Sequence, residues 1–138
     1  MRLVKKFFHS LFFKQYDEFA KMLGYEDWKS VDENRFFIHH LEGDVGWYAA
    51  ELPSGNWAVW KDEGKLPYPY KMFQNWEEAI HYLWKHFEES GLPASYWMPE
   101  GFDENEDIFL KKPDRNKKLS RNRVSILLFT KAVFVKGV

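Results

Sequence analysis

The sequence predicts an α+β fold: an N-terminal helix, a three-stranded antiparallel meander, a second helix packed on the sheet, and a C-terminal apolar strand. Three observations predict it. Apolar residues recur at helical spacing before residue 24 and again after residue 75. Between those stretches lie three runs rich in aromatic and β-branched residues, joined by short turn signals. Neither face of these runs is polar, so a sheet built from them needs cover on both sides.

The first helix is carried by Val4, Phe8, Leu11, Phe12, Tyr16, Phe19 and Leu23, which share one broad stripe. Gly24 supplies its stop, because glycine enters the left-handed conformation without a Cβ clash. A polar stretch, YEDWKSVDEN, separates this helix from the sheet. The first strand is RFFIHHLE, residues 35–42, and Gly43-Asp44 makes a tight turn into the second, VGWYAAEL, residues 45–52. Pro53-Ser54-Gly55-Asn56 is a strong turn signal before the third strand, WAVWK, residues 57–61. Residues then run as DEGKLPYPYKMF, an extended loop kept from helix by Pro67 and Pro69.

Asn75 is a good N-cap for the second helix, with Glu78 three residues on in a relative of the capping box. Trp76, Ile80, Leu83, Trp84 and Phe87 line one face of that helix, and Gly91 and Pro93 end it. A long loop over 92–118 follows, with Pro93, Pro99 and Pro113. The tail, RVSILLFTKAVFVKGV, reads as the C-terminal strand or two short ones, with a helix capped at Ser120 as the alternative for its first half; left exposed, an apolar strand there would invite pairing with a second copy into a homodimer.

The 138 residues suit one domain, 1–138. Aromatics make up 20% of them, so rings rather than aliphatic side chains should dominate the core. Cysteine is absent, which excludes disulfides, thiolate nucleophiles and Cys-based zinc sites. The N-terminal fifteen residues carry four basic side chains, no acidic ones and four phenylalanines, a pattern shared by a membrane-surface helix and by a core helix with a frayed basic start, of which the core helix is the preferred reading. His9 and Ser10 interrupt its apolar patch and no small-residue cleavage site follows, so no secretory signal is expected. The apolar run Val124 to Val135 is too short to cross a bilayer. A cytoplasmic protein with no membrane partner is expected.

No catalytic constellation assembles. Ser54 and Ser95 lack a nucleophile-elbow context, and no glycine-rich phosphate cradle occurs. His39 and His40 are strand neighbours that point to opposite faces, and His81 and His86, five apart, diverge by about 140° on a helix. Neither pair can chelate one ion. EGFDENED is acidic but lacks the ligand spacing of a calcium loop. The expectation is a non-enzymatic chain without metal or cofactor; an enzyme would need His39 or His40 in a cleft with Glu51 or Glu42.

Two binding surfaces remain. One is an aromatic sheet face for a protein partner, formed by Trp47, Tyr48, Trp57 and Trp60 with Tyr68 and Tyr70 beside it, since aromatic residues are enriched at interface centres. The alternative is phosphate contact by Lys111, Lys112, Arg115, Lys117, Lys118, Arg121 and Arg123, seven cations against one anion in KKPDRNKKLSRNR. Strand–strand–strand–helix order with WAVW and F-x-x-W-E-E-A-I resembles small three-stranded DNA-binding modules of the integrase-arm type. Those read DNA with basic sheet residues. Here the strands offer Lys61 and little else, and residues 35–92 hold five basic and nine acidic side chains, net −4. The favoured function is therefore a small interaction domain acting on another protein.

Overall fold

The computed structural model describes residues 13–43 and 45–118. Within them lie three α-helices and a four-stranded antiparallel sheet. Helix α1 runs over residues 13–22, α2 is Trp28–Asn34 and α3 is Trp76–Ser90. The strands are β1 (Arg35–His40), β2 (Gly46–Glu51), β3 (Trp57–Asp62) and β4 (Tyr70–Phe73), in the order β1-β2-β3-β4.

Helix α1 stops as its sequence requires. Gly24 sits at φ 97°, the Tyr25 amide reaches the Ala20 carbonyl at 3.0 Å, and the Gly24 amide reaches Lys21 at 3.0 Å. These two bonds are a Schellman pair, satisfying carbonyls that the helix end leaves open. Helix α3 starts on Asn75, whose side chain accepts from the Glu78 amide at 2.9 Å, while the Glu78 carboxylate accepts from the Gln74 amide at 3.2 Å. It ends at Gly91, φ 68°.

Both sheet faces are covered. On one side Phe36, Ile38, Ala49, Trp57 and Val59 pack against Trp76, Ala79, Ile80 and Leu83 of α3. On the other, Ala50, Leu52, Ala58 and Trp60 pack against Phe19, Ala20 and Leu23 of α1, Val31 of α2 and Tyr68. The sheet is thus the middle of three layers.

Four features differ from the sequence expectation. The polar stretch after Gly24 contains α2, capped by the Asp27 carboxylate on the Ser30 amide at 2.9 Å. Its single fully buried residue, Val31, gives no stripe to read. The sheet has a fourth strand where a loop was expected. The two prolines precede β4, so all four of its residues keep their amides, and β4 pairs with β3 from Trp57↔Phe73 to Trp60↔Tyr70.

Third, the β1–β2 register shifts between Phe37 and His39, so His39 pairs with Trp47. This bulge places His39 on the α3 side with Phe36 and Ile38, against the strict alternation that put it on the opposite face.

Fourth, the long loop over 92–118 is an arm that closes the sheet edge. The Met98 amide donates to Ile38 and the Glu100 amide to Phe37, each at 2.9 Å, and Trp97 bridges His39. The arm then crosses α3, where the Trp76 indole N–H donates to the Ile108 carbonyl at 2.7 Å. It returns past Gly101, where a Cβ would lie 2.7 Å from Pro113 Cβ and 2.9 Å from Phe36 Cε1. An edge strand that would otherwise present free amides is thereby paired. The expected C-terminal strand, and homodimer formation through it, fall on residues outside those described.

Candidate functional site

The six rings expected to form one contact face are divided by the sheet. Trp47 and Trp57 project toward α3. Tyr48, Trp60 and Tyr70 project toward α1, with Tyr68 packed in the same layer. Trp57, Trp60 and Tyr68 are core residues at 3%, 0% and 3% exposure. Trp47 packs against Tyr82 and stacks on His39, both with centroids 6.3 Å away. Tyr48 covers the buried Arg35 guanidinium at 4.2 Å, and Tyr70 meets Phe19 edge-on at 6.0 Å. A single aromatic plate is not formed, because alternation sends neighbouring rings to opposite layers.

Two cations of the basic stretch, Lys111 and Lys117, pair with the acidic segment before it. Lys111 and Lys117 both bind the Glu106 carboxylate, Lys117 at 2.5 Å, and Lys117 also reaches Asp103 at 2.8 Å. The Lys111 and Lys117 hydrogen bonds hold the Glu106 carboxyl down to about 2. Lys118 turns inward and donates to the Asp32 carbonyl at 2.7 Å, and burial depresses its ammonium. Arg121 and Arg123 lie outside the described residues.

Lys112 and Arg115 remain, and both line a groove. It opens at one end of the sheet, with a volume of about 690 Å³. That size is ordinary for a ligand or side-chain pocket. Four separate parts of the chain build it: Tyr25 from the α1–α2 connection, Asn34 and Phe36 at the α2–β1 junction, Glu51–Pro53 with Trp57 at the β2–β3 turn, and Lys111–Arg115 of the arm. The Gly55 turn fixes the third part, with the Leu52 amide donating to Asn56 at 2.7 Å.

Apolar surface from Phe36, Leu52, Pro53, Trp57 and Pro113 alternates with charge on the lining. The Tyr25 hydroxyl donates to the Glu51 carbonyl, and burial, then the Glu51 charge, raise this phenol to about 12. It is a neutral donor throughout the physiological range. Lys112 lies 3.3 Å from the Glu51 carboxylate, with side-chain exposures of 63% and 42%. A pair so exposed is screened and holds neither partner firmly. Arg115 donates to the Asn34 side-chain oxygen at 3.2 Å. The Asp114 carboxylate accepts from the Asn116 amide at 2.9 Å, which fixes the turn that carries Arg115.

The histidines are not part of this groove. His39 is 1% exposed; its Nδ1 lies 2.9 Å from the His40 carbonyl, and its Nε2 has no hydrogen-bond partner among the described residues. Neither Glu51 nor Glu42 is bonded to His39. Among the described residues no group of three or more His, Asp or Glu side chains could hold a metal ion, and no helix is long and apolar enough to cross a membrane.

Tyr25, Asn34, Pro53 and Pro113 were not expected at a site. Their one signal in the sequence is the acidic block before the basic one, which implies an arm folded on itself. Comparison with family models, with curated proteins and with solved structures finds no match.

Proposed function

We propose that the chain is a non-enzymatic interaction module that binds a protein partner, and that the partner enters the groove between the β2–β3 turn and the arm. The single observation behind this reading is the makeup of that groove. It is an open concavity with an apolar floor and separately held charges, and no histidine or serine lines it. Such a surface offers shape, apolar contact and charge, the ingredients of recognition. It lacks the paired nucleophile and base that a reaction would need.

The reading moves the contact surface from the sheet face to the sheet end, since both faces are already filled by the chain's own helices. It also sets aside phosphate contact by the basic stretch, because Lys111, Lys117 and Lys118 have partners within the chain.

Site-specific photocrosslinking tests it. A photoreactive residue replacing the exposed Pro53 should crosslink a defined protein in cells of the source organism, and the same residue replacing Lys85 on the outer face of α3 should not. Equal crosslinking at both positions, or none at Pro53, rejects the groove as a partner site.

A further inference from the structure

We infer that the segment entering the groove is acidic, presenting a carboxylate to Lys112 and Arg115 with an apolar side chain beside it. The inference rests on reading the groove as the partner site and adds the chemistry of its occupant.

The argument is one of charge left over. The lining holds three cations, Lys111, Lys112 and Arg115, and two carboxylates, Glu51 and Asp114. Lys111 is taken by Glu106, and Asp114 is engaged by the Asn116 amide. Glu51 is shared loosely with Lys112. Arg115 is the cation without a carboxylate within ion-pair distance among the described residues; its one side-chain bond goes to a neutral amide oxygen, Asn34 Oδ1 at 3.2 Å. A guanidinium has five N–H donors in a planar fork suited to a carboxylate, and among the described residues the Asn34 bond engages one of them. Lys112 lies three residues before it on the same short stretch, with Pro113 buried between them. An incoming carboxylate therefore meets a fork and a point charge together, and can displace the weak Lys112–Glu51 pair without leaving a buried charge unpaired.

Below these cations the floor is apolar. Phe36, Leu52, Pro53 and Trp57 contribute to it, and the volume of about 690 Å³ exceeds that of one carboxylate by far. An apolar side chain next to the acid would fill that space.

A polyanion fits less well than an acidic peptide. Glu51 and Asp114 line the same groove and would face the phosphates on either side of any one docked at Arg115. The formal net charge of the whole chain is −1, which gives no long-range attraction to a nucleic acid.

The test is selection of a random-sequence peptide display library on the full chain, followed by anisotropy titration of the winning peptides. Each is titrated against the unaltered chain, Arg115→Gln, Lys112→Gln and Pro53→Trp, the last placing a bulky ring in the groove. Circular dichroism melting confirms that each variant is folded; should Arg115→Gln unfold, Lys112→Gln, which loses only an exposed ion pair, carries the charge test.

The expected winners combine Asp or Glu with a neighbouring apolar residue. They weaken roughly tenfold or more on removal of either cation and are blocked by Pro53→Trp. Neutral or basic winners that Pro53→Trp blocks overturn the acidic occupant and leave the groove reading standing. Winners indifferent to Pro53→Trp, or no winners, overturn both. A random-sequence single-stranded oligonucleotide that binds at the same salt and is lost with Arg115→Gln overturns the acidic peptide in favour of nucleic acid.

Discussion

Phe37 and Glu100, 63 residues apart, hold each other by two hydrogen bonds: the Phe37 amide donates to the Glu100 carboxylate at 3.0 Å, and the Glu100 amide donates to the Phe37 carbonyl at 2.9 Å. This reciprocal pair pins the arm to the outer edge of β1. From there the chain runs on to Pro113 and the two groove cations, so the edge closure and the groove are parts of one assembly.

Removing the Glu100 carboxylate should therefore loosen the arm. Glu100→Ala leaves the Phe37 amide without its acceptor, at a cost of about 1–3 kcal/mol. Glu100→Gln keeps an acceptor oxygen and should cost less than half as much. Urea unfolding of the three proteins measures the difference. Hydrogen exchange should place the loss at the Phe37, Met98 and Glu100 amides, and not along α3.

The aromatic residues of β2 and β3 should separate by layer and depth. Trp60 is fully buried and meets Phe19 edge-on at 5.7 Å and Tyr48 in a stack at 6.0 Å. Trp60→Ala should cost about 3–5 kcal/mol, as for other large rings cut from a core. Trp47 is half-buried at the margin of α3, beside Tyr82 and His86. Trp47→Ala should cost under about 2 kcal/mol. Thermal unfolding distinguishes them; equal losses would mean that Trp47 is as central as Trp60.

What could be read beforehand was local. Helix α3 was legible because Asn75, Glu78 and Gly91 mark its ends and Trp76, Ile80, Leu83 and Phe87 recur at its period. The meander was legible because its turns use Gly and Pro. Cover on both faces followed from the absence of a polar face. The bulge at Ile38 was not legible, since one extra residue leaves no mark on an alternating run, and it carried His39 into the other layer. Strand β4 was hidden behind two prolines that in fact precede it. The groove was furthest from view: Tyr25, Asn34, Pro53 and Pro113 meet only once the arm has folded back, and no spacing along the chain announces that.

Gly101 is where the arm and the groove are coupled most tightly. Its φ of 96° is one that other residues rarely adopt, and an added Cβ would press on Pro113 and Phe36. Both neighbours line the groove. Gly101→Ala should lower stability by about 1–3 kcal/mol through overpacking and strain. It should also weaken any groove-binding peptide, because Pro113 carries Lys112 and Arg115 with it. A urea midpoint shift together with weaker anisotropy binding is the expected result. Weaker stability with unchanged binding would show that the cations are positioned independently of Gly101.

Stability should fall on mild acidification, and the responsible groups can be named. His39 lies between Trp47 and Trp97, with the Phe87 ring 5.0 Å away, and burial lowers its imidazole below the ordinary 6.5, outweighing the hydrogen bond to the His40 backbone, which acts the other way. Burial lowers His40 as well. For both groups the unfolded chain takes up a proton before the folded one does. Their stability contribution is thus complete above pH 6.5 and is lost as the pH falls toward the depressed folded values. Glu100 works in the opposite sense. Burial raises its carboxyl above the ordinary 4.5, so the folded chain takes the proton first and this contribution is lost as the pH rises. Urea unfolding from pH 7.5 to 5.5 should show declining stability, because over this range the two imidazoles take up protons in the unfolded chain before the folded one. His39→Phe keeps a ring between the two tryptophans and removes the buried Nε2 that has no partner among the described residues. The decline should flatten in that variant; an unchanged slope would assign the acid sensitivity to groups other than His39.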